Sequence, residues 1–450
     1  MAQELDKIEV GLDIGTTKIC CIAGRRNQHG KLEILGMGKA VSEGVERGMV
    51  TNIDKTVDSI KEAVRQCEES AGIDIGEANV GIAGQHIRSS KHHSIIMRPY
   101  PDNVIEVDDI DRLTNEMYKL VVPPGTEIIH VMPQDYTVDY VEGIKDPVGM
   151  VGARLEADYH VITSQTNAVN NIKRCVKKAG QELGKPDFIC KNLILEPLAS
   201  SMAVLSEDEM EAGVALVDIG GGTTDVAIFY ENIIRHTAVI PLGGNIITKD
   251  IKMGLNLLHQ EAEKLKIKFG SALSDEMKAN EIVTIPALRN REAREISVKT
   301  LAQIIESRME EIVELVMAEL ITSGFHKHLS GGIVVTGGGA MLRHLQHLFE
   351  YKTGKYARVG HPNEHLGKSK NDEVKSPMYA TSIGLVLGGF QALDQRENRY
   401  QELKGKKEAS QQIMTKAPKK EPISGSNLFK NILDKTKNLL MDDFDDKTDY

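Results

Sequence analysis

Residues 10–18 read Val-Gly-Leu-Asp-Ile-Gly-Thr-Thr-Lys, and residues 215–225 read Ala-Leu-Val-Asp-Ile-Gly-Gly-Gly-Thr-Thr-Asp. Each is an apolar run that ends in Asp, followed by Ile-Gly, small hydroxyl residues and a second run. The runs have the character of buried strands, and the glycines allow the tight turn between them. Backbone N–H groups of such a turn can face an anion at close range. The Thr hydroxyls add donors and Lys18 adds a positive charge. Asp at a strand end suits hydrated Mg²⁺, which prefers carboxylate plus water. A third cluster, Ile-Val-Val-Thr-Gly-Gly-Gly-Ala-Met-Leu at residues 333–342, has the order strand, glycines, helix start that lets backbone approach a nucleotide. One glycine cluster alone is an ordinary turn. Two matched Asp-Ile-Gly turns in different halves of the chain, with a third cluster, point to a duplicated phosphate site.

Around these turns, strands and helices alternate, which predicts an α/β protein. Residues 8–14 and 18–23 read as a strand pair, and 54–71 has helical spacing through Val57, Ile60, Val64 and Cys67. Residues 79–83 read as a strand, 298–323 as a long helix and 333–336 as a short buried strand. The segment 86–158 differs. Strand-like runs at 127–132, 136–141 and 155–160 surround one helix at 108–120, which predicts a small inserted α+β subdomain.

The chain has 450 residues, room for about three domain-sized units, with 41% hydrophobic and 27% charged residues. That composition excludes wholesale disorder. The formal charge of −10 argues against a nucleic-acid binder, which carries a basic face. Five cysteines without a C-x-x-C pair predict neither a disulfide framework nor a thiolate zinc site, and a reducing compartment. No apolar run is long enough to span a bilayer as a helix. The polar start predicts no signal peptide, so any membrane contact is expected to be peripheral.

These motifs resemble the actin/Hsp70/sugar-kinase ATPase superfamily, whose fold is two related α/β lobes with ATP·Mg²⁺ in the cleft between them. The resemblance implies that Asp13, Gly15, Thr16, Thr17 and Lys18 form the first phosphate loop. It makes Asp218, Gly220, Gly221, Gly222, Thr223 and Thr224 the second, with Gly243 and Gly244 beside it. Asp13 and Asp218 would hold Mg²⁺ through water. Gly337, Gly338 and Gly339 would form the adenosine loop, and Glu263 and Lys266, in residues 262–270, would reach ribose and adenine. Glu196, in Leu-Glu-Pro-Leu-Ala-Ser-Ser at 195–201, would orient the attacking water.

Two longer stretches are more specific: Met-Pro-Gln-Asp-Tyr-Thr-Val-Asp-Tyr-Val-Glu-Gly-Ile-Lys-Asp-Pro-Val-Gly at 132–149 and Arg-His-Thr-Ala-Val-Ile-Pro-Leu-Gly-Gly-Asn at 235–245. They resemble the FtsA family of bacterial cell-division actin homologues, over about residues 8–393. The resemblance implies a first lobe from 1–85 and 159–195, with the insertion at 86–158. It implies a second lobe from 196–394, with an outer subdomain at about 241–300 and residues 376–394 packing back on the first lobe. It further implies an ATP-binding, filament-forming adaptor that tethers the tubulin-like FtsZ to the cytoplasmic membrane at the division septum. The second lobe would bind the FtsZ C-terminal tail, and the inserted subdomain would meet later division proteins and neighbouring copies. Slow Mg²⁺-dependent ATP turnover at most is expected.

Residues 395–427 are polar and lysine-rich, which predicts a flexible linker. In residues 428–440, Leu428, Phe429, Ile432, Leu433, Leu439 and Leu440 fall within an arc of about 140° on a helical wheel. Lys430, Lys435 and Lys437 lie outside it. Full burial of each large apolar side chain would gain roughly 1.5–3 kcal/mol, and each Lys near anionic lipid about 1 kcal/mol. From residue 426 to 450 there are four Lys against six Asp, so the apolar face must dominate any binding. The segment 428–441 is therefore expected to be an amphipathic helix lying on an anionic membrane, with a protein groove as the other partner such a face could take. An acidic tail, 442–450, follows.

Two other functions fit an ATPase of this fold. A small-molecule kinase needs a base aimed at its acceptor, and Asp13 and Asp218 are already assigned to the phosphate loops. A chaperone needs a substrate domain after the ATPase, which the short polar C-terminal segment does not supply.

Overall fold

The computed structural model describes residues 7–278, 280–285, 294–367 and 372–416, the stretch 401–416 by its backbone alone. Up to residue 392 the chain is one compact unit. It begins with β1 (Ile8–Ile14), β2 (Lys18–Arg26), β3 (Leu32–Val41), β4 (Val45–Glu46), β5 (Met49–Val50), α1 (Ile53–Ala71) and β6 (Glu77–Ile82). Asn52 caps α1 by accepting the Lys55 N–H, and Gly72 ends it in the left-handed conformation, the usual pairing of cap residues.

An insertion follows: β7 (Arg88–Met97), α2 (Val107–Met117), β8 (Thr126–Val138), β9 (Val141–Ile144) and β10 (Arg154–Gln165). Its strands make their own sheet in the order β7-β10-β8-β9. One face, from Leu155, Ala157, Tyr159 and Val161, covers Leu113 and Met117 of α2 in a separate small core. Two features were not read from the sequence. β7 escaped notice because its run of Ser, Lys and His hides the alternation. β8 is one strand through Pro133, where two had been expected; Pro133 sits beside a register irregularity against β10, where a ladder tolerates proline.

The first lobe closes with α3 (Thr166–Glu182) and β11 (Ile189–Leu195). The second comprises α4 (Glu196–Val204), α5 (Glu207–Ala212), β12 (Val214–Ile219), β13 (Thr224–Tyr230), β14 (Ile233–Ile240), α6 (Gly244–Leu255), α7 (His259–Phe269), β15 (Ile282–Ile285), β16 (Arg294–Ser297), α8 (Val298–Thr322), β17 (Ile333–Thr336), α9 (Leu345–Thr353) and β18 (Ala357–Val359).

The two main sheets have the same plan. The first runs β11-β6-β1-β2-β3 and the second β18-β17-β12-β13-β14. In each, a central hairpin is antiparallel (β1 with β2, β12 with β13) and the strand on its other side is parallel (β6, β17). The matched turns are the same corner of two related sheets. All of β12 is buried, as expected for a strand covered on both faces.

The insertion is fastened to the second lobe where the two longest specific stretches meet. Arg235 of β14 is paired with Asp135 of β8. His160 lies 3.1 Å from the Thr237 hydroxyl, and Ser89 donates to the Thr237 carbonyl. The Phe325 ring has Lys91 on one side and Arg235 on another, at 5.8 and 5.7 Å.

The last element, α10 (Ala380–Lys416), starts against the first lobe. Gly11 faces Ser382, Leu385 and Val386, and Arg26 lies over the Phe390 ring at 4.9 Å. Further along, the helix corrects an expectation: residues 395–416, read as a flexible linker, are helical. The stretch is polar, but most of it is Gln, Glu, Lys, Arg and Ala, all strong helix formers. The amphipathic segment 428–441 and the acidic tail lie outside the described residues. Among the described residues no helix is long and apolar enough to cross a membrane.

Replacing a helical glycine by alanine ordinarily stabilises by about 1 kcal/mol. At Gly384 the sign is reversed, because an added Cβ would lie 1.7 Å from the carbonyl oxygen of Ala199, a backbone atom with little room to move. Gly384→Ala is expected to destabilise the protein by about 1–3 kcal/mol. Thermal denaturation measures it, and a raised melting temperature would refute this account of how α10 seats.

Candidate functional site

The two hairpin turns face each other. A Cβ on Gly221 would stand 2.3 Å from a Thr17 methyl, and one on Gly222 would stand 2.6 Å from the Thr16 hydroxyl. Only glycine lets the second loop come this near the first. The cavity between them is lined by Asp13, Gly15, Thr16, Thr17 and Lys18 from one lobe. Asp218, Gly220, Gly221, Gly222 and Thr223 line it from the other, with Glu196, Asp225, Gly337, Gly338, Met378 and Thr381. It holds about 120 Å³, against roughly 300–1,000 Å³ for a ligand pocket. The two loops lie close together across it.

Four carboxylates face this small space. Asp13 receives a hydrogen bond from Ser382 at 3.1 Å and lies 3.8 Å from the Lys18 ammonium. Burial still raises its pKa, against the pull of Lys18. Asp218 accepts from Ser200 at 2.6 Å and from Thr381 at 3.2 Å, and burial raises it too. Glu196, the first residue of α4, stacks over Gly81. Burial pushes its carboxyl well above the usual range, and the charges of Asp13, Asp225 and Asp218 push it further. Lys18, the basic residue of the lining, donates to the Met378 carbonyl and sits 4.6 Å from the Tyr379 ring centroid.

Asp225 was missed by the sequence reading. It stands opposite Asp218 in the hairpin register, as Cys20 stands opposite Asp13. It is buried; one oxygen accepts from the Thr223 hydroxyl at 3.0 Å, and the other, Oδ1, has no partner among the described residues. Burial, with help from the Asp218 charge, raises its pKa to about 7. The signal was available: an ionisable residue inside the otherwise apolar run Asp-Val-Ala-Ile-Phe at residues 225–229.

Of the remaining expected residues, Gly337 and Gly338 line the cavity and the others lie outside its lining. Thr224 is buried and donates to the Leu242 carbonyl at 2.8 Å. Gly243 abuts the Gly220 carbonyl, and the Gly244 and Asn245 N–H groups donate to the carbonyls of Gly220 and Gly221. These residues brace the second loop from outside. Lys266 donates to the Gly244 carbonyl and the Thr248 hydroxyl, both at 2.9 Å, and pairs with Glu263 at 2.8 Å. Gly339 packs on Ile219, and Gly337, at φ +83°, gives Asp218 room: a Cβ there would lie 2.3 Å from Asp218 Oδ1. The glycines after β17 lead into a 3-10 turn, Gly338–Met341, the tighter form of the helix start that was expected there.

The donor set fits a hydrated cation with phosphate. Among the described residues, no three His, Cys, Asp or Glu side chains come close enough to ligate one ion directly. A cation here would be held largely through water, which is the habit of Mg²⁺. The orphaned oxygen of Asp225 and the raised carboxyls show a site short of positive charge.

A family model described as "Cell division protein FtsA" matches residues 215–384, and one described as "SHS2 domain inserted in FTSA" matches residues 84–163. The cell-division protein FtsA of Pseudomonas aeruginosa is 42% identical over 385 residues, covering 86% of this chain and 90% of its own length. The chain belongs to the FtsA family of cell-division proteins. The Neisseria meningitidis member is 41% identical, covering 86% of this chain and 91% of its own. The Bacillus subtilis member is 36% identical, with 85% and 83% covered. Among solved structures, a chain of a PilM–PilN type IV pilus biogenesis complex superposes with a TM-score of 0.60 at 14% identity. It covers 85% of this chain and 98% of that one, which speaks for the fold. The fold is the actin-like one, with the family's inserted subdomain built on β7–β10.

Asp225 gives the site a pH signature. Its folded-state pKa is raised, so the folded protein holds this proton more tightly than the unfolded one. Stability from this group is therefore lost as pH rises from about 4, the ordinary carboxyl value, to about 7, and is flat above. Asp225→Asn removes that dependence. Without nucleotide, the variant is expected to melt higher than the parent at about pH 8 and close to it at about pH 4. Equal melting differences at both pH values would show that burial does not perturb this carboxyl.

Proposed function

We propose that this chain is an ATP-binding, filament-forming adaptor that fastens the FtsZ ring to the cytoplasmic face of the cell membrane at the division septum. The observation that carries the nucleotide half is the pair of matched hairpin turns, one per lobe, closing on a cavity with four carboxylates and one lysine. Asp13 and Asp218 would hold Mg²⁺ through water. The ion, when bound, would supply the positive charge the carboxylates lack and neutralise phosphate oxygens. The backbone of residues 15–17 and 220–223, with Lys18, would receive the phosphates. Gly337–Gly339, Glu263 and Lys266 would form the nucleoside side.

ATP serves mainly to close the cleft and favour assembly with further copies of the chain. Turnover is slow. Glu196, with its raised carboxyl, orients water only when positive charge in the cavity lets it ionise. The partner side follows the family. The second lobe would take the FtsZ C-terminal tail, the inserted subdomain would take later division proteins, and the segment 428–441 would take the anionic membrane.

Sedimentation with anionic liposomes tests this reading. The full chain is expected to pellet with lipid, more so with Mg·ATP, because assembly makes binding multivalent, while a version ending at Glu421 stays in solution. If neither pellets under any condition, the membrane half is wrong. Phosphate release is followed in the same samples. Glu196→Ala is expected to lower it, and unchanged release in an assembled sample would remove Glu196 from the hydrolytic role.

A further inference from the structure

Asp13 and Asp218 belong to different lobes, yet two of the residues that hold them are neighbours in the chain. Ser382 Oγ donates to Asp13 Oδ2, and Thr381 Oγ1 donates to Asp218 Oδ2. Both are on the first turn of α10. Successive side chains on a helix diverge by about 100°, so adjacent hydroxyls can reach carboxylates on two sides of a cleft. Ser200 of α4 completes the arrangement. Its hydroxyl donates to the same Asp218 oxygen and lies 3.0 Å from that of Thr381. Ser200 and Ser382 are fully buried.

The turn that carries these hydroxyls is fixed on several sides. Gly11 of β1 packs so closely that a Cβ would stand 2.6 Å from the Ser382 carbonyl oxygen, and Gly384 meets Ala199 of α4. Just upstream, the Gly337 N–H donates to the Pro377 carbonyl at 3.3 Å. First lobe, α4 and adenosine-side loop all bear on this one segment. In each aspartate Oδ2 is the oxygen engaged by hydroxyls. Oδ1 of Asp13 lies on the Gly15 side and Oδ1 of Asp218 on the Gly337 side, and both of those glycines line the cavity.

We propose that Thr381 and Ser382 are positioning residues: one helical turn holds the aspartates of both lobes, each by one oxygen, so that the opposite oxygens are set to receive a single hydrated divalent cation. This rests on the nucleotide reading above and adds to it the group that aligns the two halves of the site. The hydroxyls are neutral, so removing one leaves the number of carboxylates unchanged. What changes is orientation, and a loosened carboxylate is a weaker partner for a hydrated ion.

The test is ATP binding by calorimetry, across a Mg²⁺ series and in excess EDTA, for the full chain and for Thr381→Val, Ser382→Ala and Thr381→Ser. Valine matches threonine in shape and lacks the hydroxyl; serine keeps the hydroxyl. The Mg²⁺ concentration for half-maximal enhancement of binding is expected to rise about tenfold in Thr381→Val and Ser382→Ala, the scale of one hydrogen bond to a charged group. It should stay near the parent's in Thr381→Ser, and the affinity in EDTA should be unchanged in all three. An unshifted Mg²⁺ midpoint in both hydroxyl-less variants overturns the proposal. So does an equal loss of affinity with and without Mg²⁺, which would mark a merely structural role. A parent chain that binds ATP under neither condition overturns the nucleotide reading itself, and the inference falls with it.

Discussion

Four carboxylates buried near one another, with a single lysine in the lining to offset them, are the constraint on which this structure turns. A carboxylate taken out of water loses solvation, and a neighbour of the same sign makes the loss larger. Asp13, Asp218, Asp225 and Glu196 meet both conditions around a single small cavity, with Lys18 as the basic residue of the lining. Hydroxyls from Ser200, Thr223, Thr381 and Ser382 soften the cost for three of them. They do not cancel it, since every one of the four carboxyls is raised. Such a site favours whatever brings positive charge, and a cation accompanied by phosphates does so while giving the backbone turns an anion to hold.

That constraint explains the architecture around it. The negative groups come from two sheets of the same plan, so the site exists only while the sheets face each other. Glycines at 221 and 222 allow the approach, and glycine at 337 gives Asp218 its room. α10 then ties the two sides at their aspartates. The same few hydrogen bonds therefore connect Asp13, Asp218 and the first turn of α10.

Much of this was legible in the sequence because the signal was local. An apolar run ending in Asp-Ile-Gly carries its own strand, turn and chemistry within ten residues, and its recurrence disclosed the duplicated sheet. The helix at Ile53–Ala71 and the strand Ile333–Thr336 were equally readable, since periodicity and burial coincide there. What stayed hidden depends on contacts between distant segments. Gly243 and Gly244 meet Gly220 and Gly221, and Lys266 meets Gly244, through contacts that no local pattern announces. Thr381 and Ser382 sit in an unremarked Ala-Thr-Ser-Ile, and only folding brings them to Asp218 and Asp13. The helix from 395 to 416 was misjudged because polarity was taken for lack of order, whereas helix propensity belongs to the backbone's preference for Lys, Glu, Gln and Ala.

The two stretches that resemble the family most specifically, 132–149 and 235–245, lie away from the phosphate loops. The structure gives them a physical reason to be distinctive. Asp135 and Arg235 form the ion pair that joins the inserted subdomain to the second lobe, with Phe325, Lys91, His160 and Thr237 around it. Arg235 is nearly buried and Asp135 is partly so. Breaking a fully buried pair leaves one charge without its partner at a cost of about 3–5 kcal/mol, and the partial exposure of Asp135 makes the cost lower here. An actin-like core can be built from many sequences, as the 14% identity to a pilus-assembly protein illustrates. An inserted sheet joined to the second lobe through this ion pair and the contacts around Thr237 depends on particular side chains. The specificity of those stretches is the specificity of that joint, and β14, which carries Arg235, is the sheet neighbour of β13 and its Asp225. The joint and the carboxylate cavity thus sit on neighbouring strands of one sheet.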